Sequence, residues 1–373
     1  METKVVNVDL SNIDVAKVRQ AAELIDQGGL VAFPTETVYG IACRVESQSL
    51  AKLDNLKGRN PDKHYTLHIA DKTDAAKYLP TIGLRAKKLI TNTWPGPTTI
   101  VFEVDSPAIE ELPVMLENTA LKCLYKNNSI GIRCPDHPVA TLLLSSTKNA
   151  VVAPSANLTG QPPAVDGKQV LARFSGQIEM LLDAGPCKYG KSSTVAKISK
   201  QGLAILRKGV YSQAELEEKS EVKFLFVCTG NTCRSPMAEG LFRKYLAEKL
   251  QCNVDQVGKM GYKTYSAGVM EMAGLPASPE SITACADRGV DIRVHRSTTL
   301  SQQLIEKSDF IFAMARGHCE HVASVSPEAA GKCVRIVEGE DICDPIGQSQ
   351  QVYDRCADLI EEAVKKRVGE LIL

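Results

Sequence analysis

One stretch constrains the fold and chemistry of this chain more than any other: Phe224-Leu-Phe-Val-Cys-Thr-Gly-Asn-Thr-Cys-Arg-Ser-Pro236. The apolar run Phe224 to Val227 reads as a buried strand, and Met237, Leu241, Tyr245 and Leu246 predict an amphipathic helix beginning at about Pro236. A loop between a strand end and a helix start gathers backbone N–H groups and the positive helix end at one point, which favours a bound dianion. Cys228 at the head of that loop is placed as a thiolate nucleophile for phosphorus. Arg234, at its far end, has a planar fork that suits two phosphoryl oxygens. Gly230 and Asn231 tolerate the left-handed backbone that a tight loop needs, and Ser235 can donate a hydrogen bond to the thiolate. The bare Cys-to-Arg spacing fits a structural cysteine beside a turn equally well; the strand, loop and helix context separates the two.

The chain is long enough, at 373 residues, for two or three domains. Its 44 Lys and Arg balance 44 Asp and Glu, and 44% of residues are hydrophobic, which excludes wholesale disorder. Zero net charge also argues against tight nucleic-acid binding by phosphate neutralisation. The twelve cysteines are scattered with no C-x-x-C pair, so reduced thiols and no structural metal are expected. The N-terminus has no basic start followed by an apolar core, and no run of about 18 apolar residues occurs, so a cytoplasmic protein with no membrane association is expected.

Val15, Val18, Ala22 and Ile25 predict a helix over residues 14–27, stopped by Gly28-Gly29, and Leu30 to Phe33 reads as a strand. Further apolar runs at 100–104, 129–132 and 150–153 make the first half α/β. Residues 211–221 are polar and acidic, and the domain boundary is expected there. Beyond it, strand patterns at 224–227 and 310–313 alternate with helices, the last over about 352–368, as in a doubly wound parallel sheet.

Residues 227–239, with Ser266-Ala-Gly268, His295-Arg-Ser297 and Asp344-Pro345, closely resemble the low-molecular-weight protein tyrosine phosphatases over essentially all of 222–373. The resemblance implies a four-stranded parallel doubly wound sheet with a Cys-Arg phosphate-binding loop and no cofactor. It makes Cys228 the nucleophile, Arg234 the clamp on the transition state and Asp344 the acid and then the base, through a phosphocysteine. Thr229, Gly230, Asn231, Thr232, Cys233, Ser235 and His295 would support the loop. Asp341 lies near Asp344 but lacks the following proline. Family members acting on phosphotyrosine carry a bulky aliphatic residue at the position of Thr232 and aromatic residues at that of Ile346. Thr232 resembles the branch acting on phosphoarginine, and Ile346 offers no ring to stack on a phenol. Cys233 stands where a resolving thiol could cap Cys228 as a reversible disulfide. His318-Cys-Glu-His321 does not have zinc spacing and is expected to be polar surface.

In the first half the informative segments are Pro34-Thr-Glu-Thr-Val-Tyr-Gly40, Lys57-Gly-Arg59, Trp94-Pro-Gly-Pro-Thr98, Gly131-Ile-Arg133, Pro154-Ser-Ala-Asn157, Gly190-Lys-Ser-Ser-Thr194 and Leu206-Arg207. Several are loops after apolar strands, where α/β sheets bind ligands, and their cations suit an anion. Read singly, Lys57 and Arg59 fit a solvated face, Trp94 a core residue and 154–157 a turn. No Walker A or dinucleotide fingerprint is present.

The ordered set resembles the threonylcarbamoyl-AMP synthase (YrdC-like) family over about residues 16–210, on a twisted open sheet with helices. That family joins ATP, L-threonine and bicarbonate into threonylcarbamoyl-AMP with release of pyrophosphate, supplying tRNA-modification machinery. The resemblance assigns Lys57, Arg59, Ser155, Asn157 and Arg207 to ATP, and Thr35, Arg133 and Ser193 to threonine, with Arg133 taking its carboxylate. Magnesium is implied, held more by the nucleotide than by protein ligands. After Arg59 the chain departs from the family with Asn60-Pro61 and His64-Tyr65. The expected organisation is a synthase domain over 1–212, a linker over 213–221 and a phosphatase domain over 222–373, acting on phosphorylated protein. The competing reading keeps one domain active and makes the other a regulatory, redox-sensing or RNA-binding module.

Overall fold

The computed structural model describes residues 2–58, 64–104, 109, 122–199 and 201–372. Arg59, one of the expected ATP ligands, lies outside the described residues. The chain separates into two units, Met1–Ile82 with Ala86–Lys219, and Gly83–Arg85 with Ser220–Leu373.

In the first unit the described strands are β1 Lys4–Asn7, β2 Val31–Phe33, β3 Gly40–Arg44, β4 Thr66–His68, β5 Thr98–Glu103, β6 Ser129–Arg133, β7 Val151–Val152, β8 Met180–Asp183, β9 Thr194–Ser199 and β10 Gly202–Arg207. They form one mixed sheet in the order β1-β8-β2-β3-β7-β4-β6-β5-β9-β10. Side chains alternate between two apolar layers: Val31 and Phe33 point into one, Ala32 into the other, as the period-2 geometry of a strand requires. One layer is closed by helices Val15–Asp26 and Pro138–Ser146, which bury Val18, Ala22, Ile25, Val139 and Leu143. The first helix starts where Asp14 accepts a hydrogen bond from Lys17 N at 3.2 Å. It stops before Gly28, whose φ of 86° only glycine adopts without strain.

The segment expected as the linker is mostly helical. Gln213–Ser220 is a helix, and Leu216 is fully buried in the first unit's apolar core. Its acidic residues are one solvated face of that helix, and the single apolar position that docks it gives too weak a period to recognise in the sequence.

In the second unit β11 Val222–Cys228, β12 Tyr262–Gly268, β13 Phe310–Ala313 and β14 Cys333–Arg335 form an all-parallel sheet in the order β12-β11-β13-β14. Central β11 is covered on both faces. Val222, Phe224, Phe226 and Cys228 face one cluster, Leu225 and Val227 the other. Phe242, from helix Arg234–Leu250, packs on Phe224 and Phe226 with ring centroids 4.6 and 5.2 Å away. Chain order reverses on either side of β11, so the loop after Cys228 lies at the topological switch point. The helix begins at Arg234, two residues before the expected Pro236, and the last helix runs Gln350–Leu371.

Candidate active sites

The loop after β11 wraps the Cys228 sulfur with donors. Asn231 N lies 3.2 Å and Ser235 Oγ 2.9 Å from Sγ. Asn231 Nδ2 donates to Ser235 Oγ at 2.8 Å, and Asn231 Oδ1 accepts from Thr298 N at 2.7 Å. Asn231 has φ 54°, so the left-handed turn expected of the loop falls on it and not on Gly230. His295 Nε2 lies 2.7 Å from Asn231 O and holds the same turn from outside. Gly268 closes the other side. A Cβ there would meet Gly230 C and Thr229 O at 2.8 Å and Asn231 N at 2.9 Å, so only glycine lets β12 come this close.

Arg234 is buried at the first turn of its helix. Nη1 donates to Ile342 O and Nη2 to Thr229 Oγ1, both at 2.9 Å, and Nη2 also pairs with the Asp344 carboxylate. Among the described residues no group pairs with its buried Nε. Asp341 is elsewhere engaged, with Arg335 at 3.0 Å and Arg316 N at 2.9 Å. Thr232 Oγ1 lies 3.6 Å from Cys233 Sγ, which also approaches Tyr353 Oη at 3.4 Å and Ser278 Oγ at 3.7 Å. Ile346 is 62% exposed.

The expectation for His318 is corrected. It is buried, not on polar surface, with Nε2 3.0 Å from Thr229 Oγ1. Burial, and then the charge of Arg234, push its pKa down to about 4. Its place on helix Arg316–Val325 gave no sequence signal, because contact with the loop is set by strand order.

In the first unit a cavity of about 630 Å³ is lined by Thr35, Lys57, Arg133, Ser155, Asn157, Ser193 and Arg207, all of the described ATP and threonine candidates. Lys57 is buried, not on a solvated face: Nζ donates to Asn157 O at 2.5 Å and to Ser155 O. Ser155 Oγ donates to Asn157 Oδ1 at 2.6 Å, so the 154–157 segment is a built wall of the cavity. Arg207 Nη2 donates to Ser193 O at 2.9 Å and Oγ at 3.0 Å. Arg133 Nη2 donates to Thr37 Oγ1 at 2.6 Å and Thr35 Oγ1 at 3.3 Å, and is paired with Glu36 at 2.8 Å.

Glu36 is the residue that the sequence reading overlooked. It is 2% exposed, and its other oxygen accepts from Asp136 N at 3.0 Å. Its partner Arg133 is 97 residues away in the chain, so no local signal marks the pair. His68 also lines the cavity, with its pKa pushed down to about 3 by burial and then by Arg133. No carboxylate lies among the described lining residues, and no described His, Cys, Asp and Glu cluster could hold a metal ion. No described helix is long and apolar enough to cross a membrane.

Two families match the two halves. The family model described as "Telomere recombination" (Sua5/YciO/YrdC) matches residues 23–209, and that of the low molecular weight phosphotyrosine protein phosphatases matches 223–371. A threonylcarbamoyl-AMP synthase of Pyrococcus abyssi is 30% identical over 246 residues, 65% of this chain and 69% of its own. A protein-arginine-phosphatase of Bacillus subtilis is 34% identical over 39% of this chain and 95% of its own. The solved structure of P. abyssi Sua5 complexed with L-threonine shares the fold at TM-score 0.52 and 22% identity, over 71% of this chain and 92% of its own. The chain therefore belongs to the Sua5/YciO/YrdC family through its first half and to the low molecular weight protein phosphatase family through its second.

Proposed function

We propose that the chain is bifunctional, making threonylcarbamoyl-AMP and pyrophosphate from ATP, L-threonine and bicarbonate in its first unit, and hydrolysing phosphoprotein, with phosphoarginine preferred, in its second. The convergence of seven separately spaced candidates on one cavity supports the first activity most directly. Lys57, Ser155, Asn157 and Arg207 would hold ATP, joined by Arg59, with the cations stabilising charge that builds as pyrophosphate leaves. Thr35, Arg133 and Ser193 would hold threonine; Arg133 Nε, buried without a described partner, is a donor still available to its carboxylate. With no described carboxylate in the cavity wall, magnesium would be held by phosphate oxygens and water. The product would serve machinery that modifies tRNA.

In the second unit an incoming phosphoryl group displaces Asp344 from Arg234 and takes the guanidinium fork. The Cys228 thiolate attacks phosphorus, the bond from phosphorus to the leaving oxygen or nitrogen breaks, and Asp344, which takes up a proton from solvent once it leaves Arg234, passes that proton to the leaving group. Asp344 then deprotonates the water that cleaves the phosphocysteine, releasing phosphate and restoring the thiolate. The hydroxyl of Thr232 and the absence of a ring at Ile346 support phosphoarginine as the substrate, as does the likeness to a protein-arginine-phosphatase.

The test is a paired assay of wild type, Cys228→Ser and Lys57→Ala. It follows pyrophosphate release dependent on threonine and bicarbonate beside hydrolysis of phosphotyrosine and phosphoarginine substrates. Each substitution is expected to abolish one activity only. A missing wild-type activity, or one substitution that removes both, would replace two enzymes with one enzyme and a regulatory partner.

A further inference from the structure

The phosphatase loop carries a support that none of its motif residues supplies. Thr229 Oγ1 accepts from Arg234 Nη2 at 2.9 Å and lies 3.0 Å from His318 Nε2. The opposite ring nitrogen, Nδ1, is buried with no partner among the described residues. A buried N–H without an acceptor is less tolerable than a bare lone pair, so the ring proton belongs on Nε2 and is donated to Thr229. Two donors then meet on one hydroxyl oxygen, locking the threonine side chain that anchors the guanidinium.

Resting on the phosphatase reading of this site, we propose that His318 is a positioning residue for catalysis: through Thr229 Oγ1 it holds Arg234 in the orientation that receives the phosphoryl group. The ring must be neutral to do so. A second proton would sit on Nδ1 without an acceptor, opposed first by burial and then by the charge of Arg234, with His321 on the same side and Asp344 and Asp341 on the other.

The experiment is a double-mutant cycle in the full chain with p-nitrophenyl phosphate as substrate. His318→Leu and Thr229→Val are each expected to lower kcat about tenfold with KM changed less than about twofold, and the double variant to fall no further. His318→Gln, which keeps a donor near the Nε2 position, is expected to recover most of the rate. Unaltered kcat in His318→Leu, or losses that multiply in the double variant, would overturn the role of His318. An inert wild type would instead overturn the phosphatase reading, and side-chain ¹⁵N NMR then tests His318 by itself. A neutral Nε2–H tautomer titrating near pH 4 is expected; an Nδ1–H tautomer, or a midpoint near 6.5, would refute it.

Discussion

Glu36 and Arg133 form a buried ion pair in the first unit, with Oε1 2.8 Å from Nη2 and side chains 2% and 7% exposed. The same Nη2 holds Thr35 and Thr37, and the second carboxylate oxygen holds Asp136 N, so the pair ties the loop after β2 to the end of β6. Removing one partner leaves the other charge buried. Glu36→Ala is therefore expected to cost about 3–5 kcal/mol of stability. Urea unfolding checks this, and an unchanged midpoint would mean that water replaces the carboxylate without strain.

Gly268 tests the phosphate loop from behind. In Gly268→Ala the added methyl group would press on backbone of Thr229, Gly230 and Asn231, none of which can rotate away as a side chain does. A loss of about 1–3 kcal/mol is expected, with kcat for p-nitrophenyl phosphate lowered at least about tenfold as the donors around Cys228 move. Wild-type kinetics would show that the loop yields more easily than its packing implies.

Thr232 tests substrate choice. Thr232→Ile removes a hydroxyl at the loop without touching Cys228, Arg234 or Asp344. The ratio of kcat/KM for a phosphoarginine protein over a phosphotyrosine peptide is expected to fall at least about tenfold. A ratio that stays constant would move the discrimination to residues around Ile346.

The buried histidines set an acid limit on stability. His68 is pushed down to about 3 and His318 to about 4, in each case by burial first and then by a neighbouring arginine. Between those values and the ordinary value near 6.5, the unfolded chain binds protons that the folded chain does not. Stability is therefore full above pH 6.5 and is lost as pH falls towards the folded values, by about 2 kcal/mol per histidine at pH 5. Urea midpoints between pH 8 and 5 measure the slope, and His318→Gln is expected to flatten it for the second unit. A midpoint independent of pH over that range would contradict neutral burial of these rings.

Much of the molecule was legible because local signals and chemistry coincide. The run from Phe224 into Cys228 carries its own strand, loop and helix start, so the site and its two principal residues could be read together. Lys57, Ser155 and Asn157 could be named only through family resemblance, since alone they read as a solvated face and a turn. Their burial depends on residues about 100 positions apart meeting at one cavity wall, which no local window contains. The helix over 213–220 has no local signal for a related reason: a single buried apolar residue, Leu216, docks it.

By itself the sequence determined two α/β units, the strands with period-2 or continuous apolar patterns, and the strand, loop and helix start that bring Cys228 and Arg234 to one loop. Those are properties of contiguous residues, where propensity, patterning and loop chemistry act over a few positions. Only the tertiary structure decided that Glu36 engages Arg133, that Gly268 admits the phosphate loop, and that His318 reaches Thr229. Each depends on strand order and layer packing, which bring distant segments within hydrogen-bonding or van der Waals range and exclude the water that would otherwise compete.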